Sequence, residues 1–357
     1  MSCEPWGVTR EGAAVHLITL TNSSGTTASI ATYGATLVRL AFGSPPVDVV
    51  LGFDDLAGYL SPHPYLGATI GRFANRIANA EFVLDGVRHR LTRNEAAHSL
   101  HGGAVGFDKA VWGLVDARDD AVTLRHVSRD GDQGYPGTLT CTVRYEITGD
   151  DVLRIVYEAT TDRRTVVSPT NHAYFNLSLD AGATSGRGIL DHRLSIDADA
   201  FLPVTPDLIP TGEALPVEGT PFDFRRPVSI GDQLDAGSLA DPRCREQIRN
   251  AGGFDHCFVL NGLEGVLRRA AVLTDPATGR RLEVHTTSPG LQLYTGNRLD
   301  GTVRGRGGIG YGRHHALCLE TQRFPDAPNQ PGFPSAVLDP HDTFSAVTEY
   351  RFSLIGR

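Results

Sequence analysis

Two stretches hold side chains able to move protons. "SPTNHAYFNL" (168–177) sets Thr170, Asn171 and His172 directly against Tyr174, Phe175 and Leu177. "ALCLETQ" (316–322) ends an apolar run on Glu320. A strand that only filled a core would alternate more simply and would have little use for either group. A lone strand histidine is usually a hydrogen-bonded core residue. Carboxylates are rarely buried without partners, so Glu320 is either paired with an arginine or is a desolvated general base with a raised pKa. Taken together, His172 and Glu320 make an acid and a base.

Four further stretches concentrate polar residues at what read as strand ends. "GRFANRIANAEFVLDG" (71–86) holds Asn75 and Arg76, and "HSLHGG" (98–103) puts His101 ahead of a glycine pair. "GGFDHCFVL" (252–260) places Asp255 and His256 before an apolar run, and "SPGLQLYTGN" (288–297) sets Gln292 between leucines. Each has a plain alternative: Arg76 as a surface cation, Asp255 as a turn residue, Gln292 as a cap on a backbone group. His98 and His101 stand at i, i+3 but lack a third ligand at a suitable spacing, so no metal site is expected.

The elements that must position these residues are mostly strands. "LTCTVRYEI" (139–147) alternates apolar and polar, and Leu153, Ile155 and Tyr157 repeat the pattern after a polar break. That reads as an antiparallel hairpin. "LSIDA" (194–198), "LEVHT" (282–286) and "YRFSL" (350–354) behave alike, while 40 Gly and 21 Pro punctuate the chain. Helical period is brief: "DDLAGYL" (54–60) and the stretch after "RRPVS" (225–229) each suit a turn or two. No long amphipathic helix is expected. The pattern predicts an all-β fold, one large antiparallel β-sandwich spanning residues 1–357 as a single domain.

Bulk properties narrow the partners. The 357 residues are 40% hydrophobic and 21% charged, with net charge −8. An acidic chain disfavours nucleic acid and anionic membrane surfaces, which select basic patches. Five scattered cysteines without a C-x-x-C pair argue against a disulfide framework and for a reducing compartment. No signal peptide and no apolar run near the ~20 residues of a membrane helix is read. A cytoplasmic protein is expected.

In order along the chain, "VVLGFDDLAGYL", "GRFANRIANAEFVLDG", "SLHGG…GFDKAVW", "TNHAYFNL", "GFDHCFVL", "YTGN" and "LETQRFPDAPNQPGFPS" resemble the galactose mutarotase (aldose 1-epimerase) family, from about residue 45 onward. The resemblance implies a β-supersandwich with an open cleft, no cofactor, and a free monosaccharide as the small-molecule partner. It implies His172 as general acid, Glu320 as general base and His101 beside them, with Asn75, Arg76, Asp255 and Gln292 binding the sugar. A monomer or weak homodimer is expected. In "TTSPG" (286–290), Ser288 stands where relatives often carry a larger polar residue, which bears on the choice of sugar.

The residue types suit that chemistry. Opening a cyclic hemiacetal takes a proton from O1 and gives one to O5; an ionised carboxylate only accepts, and imidazole titrates near neutrality. Asp255 could accept from two vicinal hydroxyls, Arg76 beside Glu320 would oppose a rise in its pKa, and a Trp or Phe face could stack on the sugar. Three rivals remain. A hexose-6-phosphate 1-epimerase would need an Arg cluster, for which Arg304, Arg306 and Arg313 are the nearest run. A glycoside hydrolase could use Asp255 and Glu320 as its carboxylate pair. A non-catalytic carbohydrate-binding protein of the same fold would use neither.

Overall fold

The computed structural model describes residues 1–43, 45–179, 188–239 and 241–355. The cleft-bearing sheet has six strands: β1 (Tyr174–Phe175), β2 (Ala198–Phe201), β3 (Leu215–Pro216), β4 (Asp255–Leu260), β5 (Gly290–Tyr294) and β6 (Leu317–Gln322). Their spatial order is β1-β6-β5-β4-β2-β3, antiparallel throughout. A nine-stranded antiparallel sheet lies behind it; its middle strand is Phe344–Leu354, with the hairpin of Leu139–Ile147 and Val152–Thr161 beside it. A five-stranded sheet formed by the first 48 residues adds a third face.

Period two decides what each strand shows to each side. On β6, Leu317 and Leu319 join the main core; on β5, Leu291 and Leu293 do so, together with Val143, Tyr145, Ile155, Val284 and Phe352 of the nine-stranded sheet. Cys318 and Glu320, Gln292 and Tyr294, and Asp255 on β4 therefore face the other way. That second face is also covered, so β5 and β6 are buried at every position. The predicted hairpin appears with Leu139 opposite Thr161 and Ile147 opposite Leu153, and burial alternates strictly along Leu139–Ile147. The sandwich expected from sequence is present.

Helices deviate from the expectation. Leu56–Leu60 forms as predicted, with Asp55 accepting from the Gly58 N–H as N-cap. The stretch after Ser229 is longer than a turn or two: Ile230–Leu239 is followed by Pro242–Ala251. This second helix opens with Asp241 capping Arg243 and Cys244 and closes on Gly252 in the left-handed region (φ 68°). Its charged sequence hid an apolar stripe too thin to read. Among the described residues no helix is long and apolar enough to cross a membrane.

Candidate active site

His172 occupies the gap between two short strands. Thr170–Asn171 pairs with Thr69–Ile70, and Tyr174–Phe175 pairs with Leu317 and Cys318 on β6. The backbone of His172 is clipped at both ends, its N–H donating to Ala68 O (2.9 Å) and its carbonyl accepting from the Gly67 N–H (3.0 Å). Thr170 Oγ1 donates to Thr321 O (2.9 Å), and Asn171 Nδ2 donates to Gly67 O (3.0 Å). Thr170 thus ties the segment to β6, and Asn171 ties it to Gly67. His172 Nε2 lies 3.7 Å from Glu320 Oε1, and the two residues are 5% and 2% exposed.

Cross-strand register brings the carboxylates together. Gln292 is directly opposite Glu320, and Asp255 is opposite Tyr294. Gln292 Nε2 donates to Asp255 Oδ1 (2.7 Å). Gln292 is not among the residues lining the cleft; its amide N–H holds Asp255 instead. Asp255 in turn keeps one oxygen, not both, clear of this bond. Arg76, read as a possible surface cation, is buried and clamped by Glu95 through Nε (2.6 Å) and Nη2 (2.9 Å). The bidentate fork fixes its plane at the cleft wall. Among the described residues Glu320 has no arginine ion-pair partner, and its Oε2 is buried without a hydrogen bond.

His101 is held by a reciprocal pair: its N–H donates to Asn75 O (3.0 Å), and the Asn75 N–H donates to His101 Nδ1 (3.1 Å). Both residues have positive φ, 53° and 63°. The next residue must be glycine, because a Cβ on Gly102 would stand 1.9 Å from Gly71 O. A donor at Nδ1 puts the proton of the neutral ring on Nε2, making His101 a hydrogen-bond donor to the cleft. Ligand atoms of His101, His172 and Glu320 lie within 4.8 Å of one another, yet His101 Nε2 lacks the lone pair a metal would need. His98 belongs elsewhere, its Nδ1 accepting from the Asn79 N–H (3.0 Å).

Electrostatics follow from the burial. Burial pushes the Glu320 carboxyl well above its usual range; the negative charge of Asp255 adds to this and Arg76 opposes it, as expected, but does not win. Asp255 is raised by burial against the pull of Arg76 and Gln292. His172 is lowered to about 4 by burial, and His101 is held well below 6.5 by burial and by the neighbouring His172 and Arg76. The neutral pair Glu320-COOH with His172 and the charged pair Glu320 carboxylate with imidazolium contain the same number of protons. Passing between them needs only proton movement.

The cleft wall is finished by Pro64, Tyr65, Leu100, Tyr174, Tyr294 and Arg298. Its aromatic faces are tyrosines, not the Trp or Phe expected. Trp112 is packed in the core with Nε1 donating to Phe107 O (3.1 Å). Glu95 and Arg298 carry no local signal in the sequence, whereas Tyr174 sits two residues from His172. Ser288 lines a separate depression with Glu264 and Arg323, not the cleft. The arginines weighed for a phosphate are engaged in structure: Arg306 with Asp48 and Val50 O, Arg304 with Gly308 O, Arg313 with Gly252 O. None of the three lines the cleft.

With this geometry in place, comparison with known proteins is specific. The family profile for aldose 1-epimerase matches residues 16–351. A galactose mutarotase from Bos taurus is 47% identical over 307 residues, covering 86% of this chain and 84% of the relative. An aldose 1-epimerase from Escherichia coli (strain K12) is 38% identical over 347 residues, 96% of each chain. The crystal structure of a GalM/aldose epimerase homologue from C. elegans superposes with a TM-score of 0.85 at 30% identity, covering 96% of this chain and all of that one. The chain belongs to the aldose 1-epimerase family of isomerases.

Proposed function

We propose that the cleft interconverts the α and β anomers of a free aldohexose such as galactose or glucose, with Glu320 as general base and His172 as general acid. The observation that carries this reading is the facing of Glu320 and His172 at 3.7 Å, both buried, among donors and a carboxylate suited to hydroxyl groups. Glu320 takes the O1 proton as His172 gives one to O5; the C1–O5 bond breaks and C1 becomes an aldehyde. Rotation about C1–C2 exposes the other face. O5 then attacks C1, returning its proton to His172 while Glu320 reprotonates O1. Protons balance over the cycle, so the chemistry asks for no cofactor.

His101 Nε2–H would steady the oxygen on which charge develops, and Asn75, Arg76 and Asp255 would hold the hydroxyls that do not react. Gln292 would act through Asp255. The arginines of the phosphate reading lie away from the cleft, which favours an unphosphorylated sugar. The shared core supports residues 1–357 working as a single domain, and the scattered cysteines favour the cytoplasm as its setting. Polarimetry of freshly dissolved α-galactose and α-glucose, side by side, tests the reading. Acceleration of at least one over spontaneous mutarotation is expected; acceleration of neither removes it.

A further inference from the structure

We propose that Cys318 is a positioning residue for this reaction, its thiol holding Nδ1 of His172 so that Nε2 stays turned toward Glu320 and the sugar. The inference rests on the role given to His172 above. Cys318 Sγ lies 3.4 Å from His172 Nδ1, and the residue is wholly buried. It stands two positions before Glu320 on β6 and faces the same side. One strand therefore carries both the base and the group behind the acid.

The contact supplies a restraint that the rest of the pocket cannot. Tyr174 and Tyr65 stack against His172, with centroids 5.1 and 5.8 Å away and ring planes 25° and 27° apart. Stacking prevents tilting, but a ring flipped by 180° about its Cβ–Cγ bond stacks equally well. That turn would swap Nδ1 for a carbon and present a carbon where Nε2 meets Glu320. A polar partner at Nδ1 selects the productive orientation. His101 and Tyr294 meet the ring in edge-on arrangements, at 5.2 and 6.5 Å, and do not bond Nδ1.

The choice of sulfur also suits the task. Nε2 faces the Glu320 carboxyl, which burial keeps toward its protonated form, so the lone pair belongs on Nε2 and the ring proton on Nδ1, where the sulfur accepts it. Burial, with the negative charges of Glu320 and Asp255, pushes the thiol far up, so it stays neutral. A carboxylate behind His172 would hold the imidazolium and retain its proton. A thiol orients the ring and leaves the proton free to go.

The test compares wild type with Cys318→Ala and Cys318→Ser. A carbon–oxygen bond is about 0.4 Å shorter than carbon–sulfur, so a serine oxygen would sit roughly 3.8 Å from Nδ1, beyond hydrogen-bond reach. Both variants are expected to lower kcat about tenfold with KM within about twofold, because the sugar-holding residues are untouched. Serine leaves almost no cavity, so a loss shared by both is not a packing defect. Nitrogen-15 spectra of His172 should change from one fixed tautomer to a mixture. Unchanged kcat in both variants, or a fall in kcat with unaltered His172 signals, overturns the proposal. Wild-type turnover measured alongside separates the two ideas: an inactive wild type removes the anomerase reading, and an active enzyme indifferent to both substitutions removes this one.

Discussion

Replacing Glu320 with glutamine changes one atom's chemistry and almost nothing of its shape. The carboxylate is 2% exposed, has one oxygen without a hydrogen bond, and faces His172 at 3.7 Å. An amide cannot take the O1 proton. A positioned base contributes about 10²–10⁴-fold, which at about 1.4 kcal/mol per factor of ten is about 3–6 kcal/mol of barrier. Folding should not suffer, because burial already pushes Glu320 toward its neutral form and glutamine is neutral at every pH. Polarimetry on fresh α-galactose, corrected for the buffer rate, should show kcat reduced by at least a hundredfold. Urea unfolding should show stability equal to wild type or higher by about 1 kcal/mol. A variant that keeps more than a tenth of the wild-type rate would remove Glu320 as the base. Loss of rate with parallel loss of folding would make it structural instead.

Other outcomes follow from the same geometry. Asp255→Asn should raise KM about tenfold with little change in kcat, since it holds hydroxyls and not reacting protons; unchanged KM would take Asp255 out of the sugar site. The rate should be bell-shaped in pH: it falls on the acid side near pH 4, where His172 gains a proton while Glu320 keeps its own, and on the alkaline side where Glu320 loses its proton beside neutral His172. An acid limb centred on 6.5 would contradict this. Stability has its own pH dependence. His192 and His256 are fully buried and lowered to about 4 and about 3, so their contribution is complete above 6.5 and is lost as pH falls toward those values. At pH 5 each should cost about 2 kcal/mol relative to pH 7, visible as an earlier urea midpoint; equal midpoints would refute it.

The hairpin at 139–161 was legible because one face of each strand is core and the other partly wet, so burial alternates as the residues do. β5 and β6 were harder. They are covered on both sides, and "GLQLY" and "LCLETQ" carry polar side chains on a buried face. Such residues look like exceptions until the cleft that needs them is seen. Pro242–Ala251 was missed although Asp241, Pro242 and Gly252 are ordinary start and stop signals, because its interior offers few apolar positions.

What the sequence determined by itself was the strand period, the turns, and the residue types able to exchange protons, since these are local properties of neighbouring side chains. Only the tertiary structure decided which of them meet. Gln292 lies opposite Glu320 and Asp255 opposite Tyr294 through ladder register. Glu95 takes Arg76, and Glu320 is left facing His172 with its Oε2 free of any hydrogen bond, and a backbone N–H fixes the tautomer of His101. Those outcomes depend on distances between segments far apart in the chain, which only packing sets.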